Sequence, residues 1–377
     1  MNVLVLGARA PIAADLARAL ALAGHAVWLA DSFRCALAAR SPSARGFVRL
    51  PAPRRDFPGF RAALAAACRR WSFDAIVPVS EEVFWLAAAA PALPPRVDVR
   101  TSPVAVLAGL HHKACFARLA AGLGYGAPEN ILLESSAALA SLGDTTRYVL
   151  KPVYSRFASR TLIRPTARTA LRVRPTAAQP WLAQTYVAGR ELCAYNVAAN
   201  GRLLLHVAYE PVFRHGVGAS VYFAPVTSEP LRAMSARFVA ATGFTGQISF
   251  DAMVTDRGLV ALECNPRGTS GVHLAVQDPS SLASALLGHG DEGVSLPPLE
   301  PRMLVLPLLL NRPGLVLTRA GRAALAASRD ALRCAGVGPL AKLCAFSELA
   351  WHAARRRTSL AVAATADIEW NGEPFDA

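Results

Sequence analysis

Residues 246–267 constrain the fold of this chain more than any other stretch. They read Gly246-Gln-Ile-Ser-Phe-Asp-Ala-Met-Val-Thr-Asp-Arg-Gly-Leu-Val-Ala-Leu-Glu-Cys-Asn-Pro-Arg267. Two runs of alternating side chains flank Asp256-Arg257-Gly258, a pattern that predicts two antiparallel strands joined by a three-residue turn with glycine at the left-handed position. Such a turn pairs Thr255 with Leu259, and the same register then sets Asp251 opposite Glu263. Opposed residues hold their Cβ atoms about 4.5–5.5 Å apart on one side of a sheet. Two carboxylates are therefore expected side by side, and they repel unless a positive group stands between them. Ile248, Phe250, Ala252, Leu262 and Cys264 are expected to fill the opposite, buried face.

Asn265 lies two residues past Glu263 and projects to the same side. Two carboxylates and an amide oxygen are hard ligands. Without histidine or cysteine on that face they suit Mg²⁺, with Mn²⁺ as an alternative, better than zinc or copper. Magnesium completes its shell with water and phosphate oxygens, so a phosphate-bearing ligand is expected near this hairpin.

Composition points the same way. Of 40 cationic side chains only Lys113, Lys151 and Lys342 are lysines. Where arginine supplies general surface charge, a retained ammonium marks a position that needs a compact point charge on a flexible stem. Between Asp144 and Glu191 there is no acid, while Arg147, Lys151, Arg156, Arg160, Arg164, Arg168, Arg172, Arg174 and Arg190 supply nine cations. That stretch favours a polyanionic partner, and a nucleoside triphosphate fits as well as a nucleic acid does.

The formal charge of +14 could suggest nucleic acid or a membrane surface, but aromatic residues make up only 7% and no basic helix with interleaved aromatics stands out. No nucleic-acid partner is expected. Apolar runs fall far short of the ~20 residues that span a bilayer, and the first residues lack a basic leader and cleavage site, so a cytoplasmic protein is expected. The seven cysteines are odd in number and contain no Cys-x-x-Cys pair. They are expected to be reduced core residues rather than a disulfide framework or zinc site.

At 377 residues two or three domains are expected. The strand at residues 2–6, a helix after Gly7 and a strand ending at Asp31 form a β-α-β opening with a parallel sheet. Gly7-Ala-Arg-Ala-Pro-Ile-Ala lacks the second and third glycines of a dinucleotide site, so that function is not expected. A further strand at 75–79 runs into Ser80-Glu81-Glu82. Polar groups at a strand's carboxyl end suit a ligand edge, and they equally suit a helix start with Ser80 as cap. Residues 103–124 read as one helix containing Lys113, and Lys151 ends the strand 147–152. Asn200-Gly201 marks a hairpin. The Pro-rich stretch 297–301 reads as a boundary, after which helices are expected near 319–334 and 340–357.

The order of these pieces resembles the ATP-grasp superfamily, with carboxylate–amine ligases as the nearest likeness, over about residues 1–290. The resemblance rests on Lys113, on Lys151 in Val-Leu-Lys-Pro, on Gln184-Thr-Tyr-Val-Ala-Gly-Arg-Glu191, and on Asp251 with Glu263-Cys-Asn265. It implies an N-terminal parallel α/β, Rossmann-like pre-ATP-grasp domain at 1–103 and an ATP-grasp domain at 104–295. The latter comprises two antiparallel-sheet subdomains, the small one at about 145–188, and a partly helical C-terminal extension of unread role follows at 296–377. It also implies that Lys113 and Lys151 touch ATP phosphates, that Gln184, Thr185, Tyr186 and Val187 border adenine, and that Glu191 holds the ribose hydroxyls. Asp251, Glu263 and Asn265 would hold Mg²⁺. Arg267 would contact phosphate or a developing acyl phosphate. Many family members follow the second lysine with a glycine-rich loop, but no glycine occurs between Gly143 and Gly189 here. Ser155, Arg156, Ser159 and Arg160 are expected to clamp phosphate through side chains instead.

The expected activity is ATP- and Mg²⁺-dependent joining of a small-molecule carboxylate to an amine, with substrates near Glu81, Glu82, Arg214 and His215. The chain could assemble as a homo-oligomer. A carboxylating or kinase-like enzyme on the same fold is the nearest alternative. A nucleotide-binding regulator, or a basic protein meeting nucleic acid or membrane through residues 145–190, is the alternative outside enzymes.

Overall fold

The computed structural model describes residues 1–154, 160–214, 218, 220–291, 296, 298–311 and 313–375. The N-terminal β-α-β reading holds. Strands β1 (Asn2–Leu6), β2 (Ala26–Asp31), β3 (Gly46–Arg49), β4 (Ala75–Pro78) and β5 (Asp98–Val99) form a parallel sheet in the order β3-β2-β1-β4-β5. Its central strands β1, β2 and β4 are mostly buried, as parallel strands covered on both faces must be, while the edge strands β3 and β5 are more open.

A second, four-stranded sheet contains β6 (Asn130–Leu133), β7 (Tyr148–Pro152), β8 (Leu162–Ile163) and β9 (Trp181–Thr185), ordered β6-β9-β7-β8 and antiparallel throughout. It has its own small core, including Leu133, Leu150, Val173, Trp181 and Ala183.

The third sheet dominates the molecule. It contains β10 (Arg190–Ala199), β11 (Arg202–Arg214), β12 (Ser220–Val226), β13 (Gly246–Thr255), β14 (Gly258–Asn265), β15 (Arg302–Met303) and β16 (Arg329–Asp330), in the order β14-β13-β10-β11-β12-β15-β16. β15 pairs antiparallel with β12 and parallel with β16, so the segment past the Pro-rich stretch extends the same sheet. One face packs Ile248, Phe250, Ala252, Ala261 and Cys264 beneath Phe116 and Phe238. The other face joins the parallel sheet through the helices Pro11–Leu22 and Pro279–Leu286. Buried Asp15 and His273 meet across that junction at 2.5 Å.

Two local readings need correction. The expected single helix at 103–124 breaks at His112 into Val104–His111 and Lys113–Gly122, because His112 is extended and its Nδ1 accepts the Cys115 N–H at 3.3 Å. This N-cap makes Lys113 the first helical residue. All seven cysteines are free, but only Cys68, Cys193 and Cys264 are buried; the other four are half-buried.

The C-terminal residues return to the region of the N-terminal parallel sheet. Arg9 reaches Asp31 and Asp367, each at 2.6 Å, Arg54 pairs with Glu369, and the Trp85 indole donates to the Ile368 carbonyl at 2.8 Å. Trp370 stacks on Phe84 with centroids 4.9 Å apart and meets Tyr154 edge-on at 5.7 Å.

Candidate active site

The hairpin places its acids as expected, by a different route. Asp251 pairs with Glu263, yet Thr255 pairs with Gly258 rather than Leu259. The turn is one residue shorter than read, and a bulge between Asp251 and Ala252 in the pairing restores the register. Ala261 rather than Leu262 therefore enters the core, while Leu262 stays half-buried. Gly258 sits at φ 108°, a left-handed value that the tight turn requires of glycine.

Two further residues join this face by long-range pairing. Strand β10 runs antiparallel to β13 with Cys193 opposite Asp251 and Glu191 opposite Met253. Donor atoms of Glu191, Cys193 and Asp251 lie within 4.8 Å of one another. Arg214, near the end of β11, reaches Glu191 at 2.5 Å and donates to the Gly218 carbonyl. Cys193 carries no local sequence signal; only the β10–β13 register reveals it.

Both predicted lysines converge on Glu263 from different elements. Lys113 Nζ, at the start of its helix, is 3.7 Å from Glu263 Oε1, and Lys151 Nζ, at the end of β7, is 3.4 Å from Oε2. Both lysines are buried. Lys151 faces this way because Leu150 turns into the small-sheet core and side chains alternate along a strand. Lys342 is elsewhere, 3.6 Å from Asp330.

The electrostatics divide the two acids. Burial raises the Asp251 carboxyl to about 7, reinforced by the nearby Glu263 and Glu191 carboxylates. Burial would also raise Glu263, but Lys113 and Lys151 outweigh it and hold Glu263 below the usual carboxylate range. Burial, with Asp251 and Glu191 nearby, keeps the Cys193 thiol protonated well above its ordinary range.

The oxygen donors fit a hard divalent cation, and the Asp251 carboxyl, raised by burial and then by the Glu263 and Glu191 carboxylates, is a group whose charge a cation would favour. A buried neutral thiol is a poor partner for such an ion. Asn265 Oδ1 accepts from Arg267 at 3.1 Å and its amide nitrogen faces Asp251 Oδ2 at 3.4 Å. Turning that amide over would bring its oxygen to the acids.

At the neighbouring wall, Arg267 Nε donates to Glu81 Oε1 at 2.9 Å, and Glu81 Oε2 lies 3.9 Å from His111 Nε2. Glu82 turns the other way. Its Oε1, at the start of the helix Glu82–Ala89, accepts the Val79 and Ser80 N–H groups at 2.8 and 2.7 Å, just past the end of β4. The N-cap of the following helix is Glu81 rather than Ser80, and the Glu81 side chain makes no cap bond. Glu82 also packs on Gly7, where an added Cβ would lie 2.2 Å from Oε1.

On the small sheet, Val149 pairs with Gln184 and Lys151 with Leu182, so Gln184 shares the face of Lys151. Gln184 is buried and donates to Asn130 at 3.2 Å. The Thr185 and Tyr186 N–H groups are bonded to the Glu129 and Arg147 carbonyls. The Tyr186 ring is exposed beneath Arg164, and Val187 is half-buried. Arg160 lies over Trp181 at 5.2 Å. Ser155, Arg156, Ser159 and His215, named from the sequence, fall outside the described residues.

This arrangement of three sheets is shared with solved structures. The chain matches the Staphylococcus aureus N5-carboxyaminoimidazole synthetase complexed with ADP at 12% identity and TM-score 0.61, covering 80% of each chain. The chain has the ATP-grasp fold. The phosphoribosylamine–glycine ligase of Thermotoga maritima matches at 16% identity and TM-score 0.61 over 80% of this chain and 79% of that one. The L-amino acid ligase of Bacillus licheniformis matches at 15% identity and TM-score 0.57 over 76% and 74%. No protein-family model and no curated protein matches the sequence.

Proposed function

We propose that the protein is an ATP- and Mg²⁺-dependent ligase that activates a carboxylate as an acyl phosphate and joins it to an amine. The observation that carries this reading is the convergence of Lys113 and Lys151 on the two oxygens of Glu263, beside Asp251. Two ammonium groups and two carboxylates in one half-buried pocket suit a triphosphate with its cation, where positioning and charge neutralisation account for most of phosphoryl transfer. The likeness to an ADP-bound synthetase and to two ligases supports the same class.

In this reading Lys113 and Lys151 neutralise phosphate oxygens, Gln184 to Val187 border adenine, and Glu191 takes the ribose hydroxyls after releasing Arg214. Asp251, Glu263 and Asn265 would hold Mg²⁺, which would offset the charge of the bridging phosphates. The substrate carboxylate attacks the γ-phosphorus and ADP leaves. The amine then attacks the acyl carbon, phosphate leaves, and the nitrogen gives up its proton. Arg267, fixed by Glu81, would face the developing acyl phosphate and supply its charge without reorganising.

The test is ADP release across paired carboxylates and amines, with products identified by mass spectrometry. A joined product formed in step with ADP supports ligation. ADP released with a carboxylated or phosphorylated single substrate assigns the fold's other chemistry, and no Mg-ATP binding at all removes the enzymatic reading.

A further inference from the structure

The 18-residue helix Pro339–Arg356 is turned inside out for a helix on a protein surface. Its polar side chains face the protein. Glu348 accepts the Arg34 and Cys35 N–H groups at 2.9 and 2.6 Å, His352 stacks on Phe33 with centroids 4.5 Å apart, and Lys342 pairs with Asp330. These contacts fix the helix's rotation. Its apolar side chains consequently face outward: Leu340 and Leu343 are each 62% exposed, Trp351 54% and Phe346 45%. Leu340, Leu343, Ser347, Trp351 and Ala354 recur at helical spacing, so one uncharged stripe runs along the helix until Arg355. An exposed apolar stripe of this extent marks an interaction surface.

Charge identifies what covers it. Residues 302–357 carry ten arginines and lysines against two acids, Asp330 and Glu348, and both acids are engaged in the inward contacts just described. Arg355 lies over the Trp351 ring at 5.2 Å, and exposed Arg357 follows at the helix end. A second copy packed helix to helix would bring these arginines against a face with no acid to receive them. An anionic surface meets both requirements, taking the apolar stripe into its interior boundary and the arginines at its charged layer.

We propose that this helix lies along an anionic membrane surface, docking the enzyme peripherally with Leu340, Leu343, Phe346 and Trp351 inserted and Arg355 and Arg357 at the headgroups. This differs from a membrane span; no described helix is long and apolar enough to cross a bilayer.

The full-length protein would be sedimented with vesicles of phosphatidylcholine alone and with phosphatidylglycerol added. Binding should require the anionic lipid, weaken as salt rises, and disappear in a Leu343→Glu, Trp351→Glu variant whose melting temperature is unchanged. Removing each exposed arginine charge, Arg355→Gln and Arg357→Gln, should weaken binding about fivefold. Trp351 fluorescence should shift to the blue on binding. Equal binding to neutral vesicles, binding that survives the double substitution, or no vesicle binding would overturn the proposal. So would sedimentation showing that the stripe instead joins two copies of the chain.

Discussion

Two acid clusters in this molecule use the same chemistry to opposite ends. At the N-terminal parallel sheet, Asp31 and Asp367 share Arg9, with both carboxylates buried and Ser32 adding a hydrogen bond to Asp367. Burial alone would lower the Arg9 pKa, but the two carboxylates outweigh it and raise it further. The cluster is closed, and the one guanidinium holds both carboxylates directly. On the hairpin, Asp251, Glu263 and Glu191 meet Lys113, Lys151 and Arg214, yet Asp251 is still pushed up to about 7. The first cluster fastens the C-terminal tail, while the second crowds three carboxylates where burial disfavours the charge of Asp251. Paired charges alone do not mark a functional site; a carboxyl shifted strongly by burial and by like charges is the better sign.

The largest expected effect breaks the closed cluster. Arg9→Met leaves two buried carboxylates without their partner and should lower stability by roughly 3–5 kcal/mol, read as a fall in denaturant midpoint. Mg-ATP affinity under native conditions should stay unchanged. Lys151→Arg keeps the charge but replaces a compact ammonium with a planar fork in a buried position. It should weaken ATP binding by about ten- to a hundredfold in calorimetry while the melting temperature holds.

Asp251→Asn sharpens the contrast in sign, because it removes repulsion and should raise the metal-free protein's stability by about 1 kcal/mol even as metal binding is lost. The pH dependence follows from the same carboxyl. Asp251 is raised, so in the metal-free protein its contribution to stability is fully present below about pH 4 and is lost as pH rises through about 7. Cation binding runs the other way, since the proton must leave, and Mg²⁺ affinity should fall about tenfold from pH 8 to pH 6.

Much of this was legible in the sequence, for reasons that differ by residue. Strand alternation and the spacing of Asp251 from Glu263 placed the acids opposite each other, although the agreement rests on a shorter turn offset by a bulge that alternation cannot reveal. Lys113 and Lys151 stood out because lysine is rare here. Cys193 did not, since the β10–β13 pairing joins strands separated by two others in sequence and leaves no local period; Arg214 was named as a substrate neighbour, but its pairing with Glu191 was not foreseen. Asp367 pairs with Arg9 across 358 positions, a contact created only by the tail's path back to the parallel sheet. The outward apolar face of Pro339–Arg356 was equally hidden, because periodicity shows that a helix has an apolar stripe without saying which way it turns.

The central claim, that the hairpin's acid face holds Mg-ATP, is tested most directly by titrating ATP into the protein with and without Mg²⁺, and into the Asp251→Asn, Glu263→Gln variant. The account predicts Mg²⁺-dependent binding in the unaltered protein and a loss of at least about a hundredfold in a folded variant. Mg-ATP binding of undiminished affinity in that variant would contradict it.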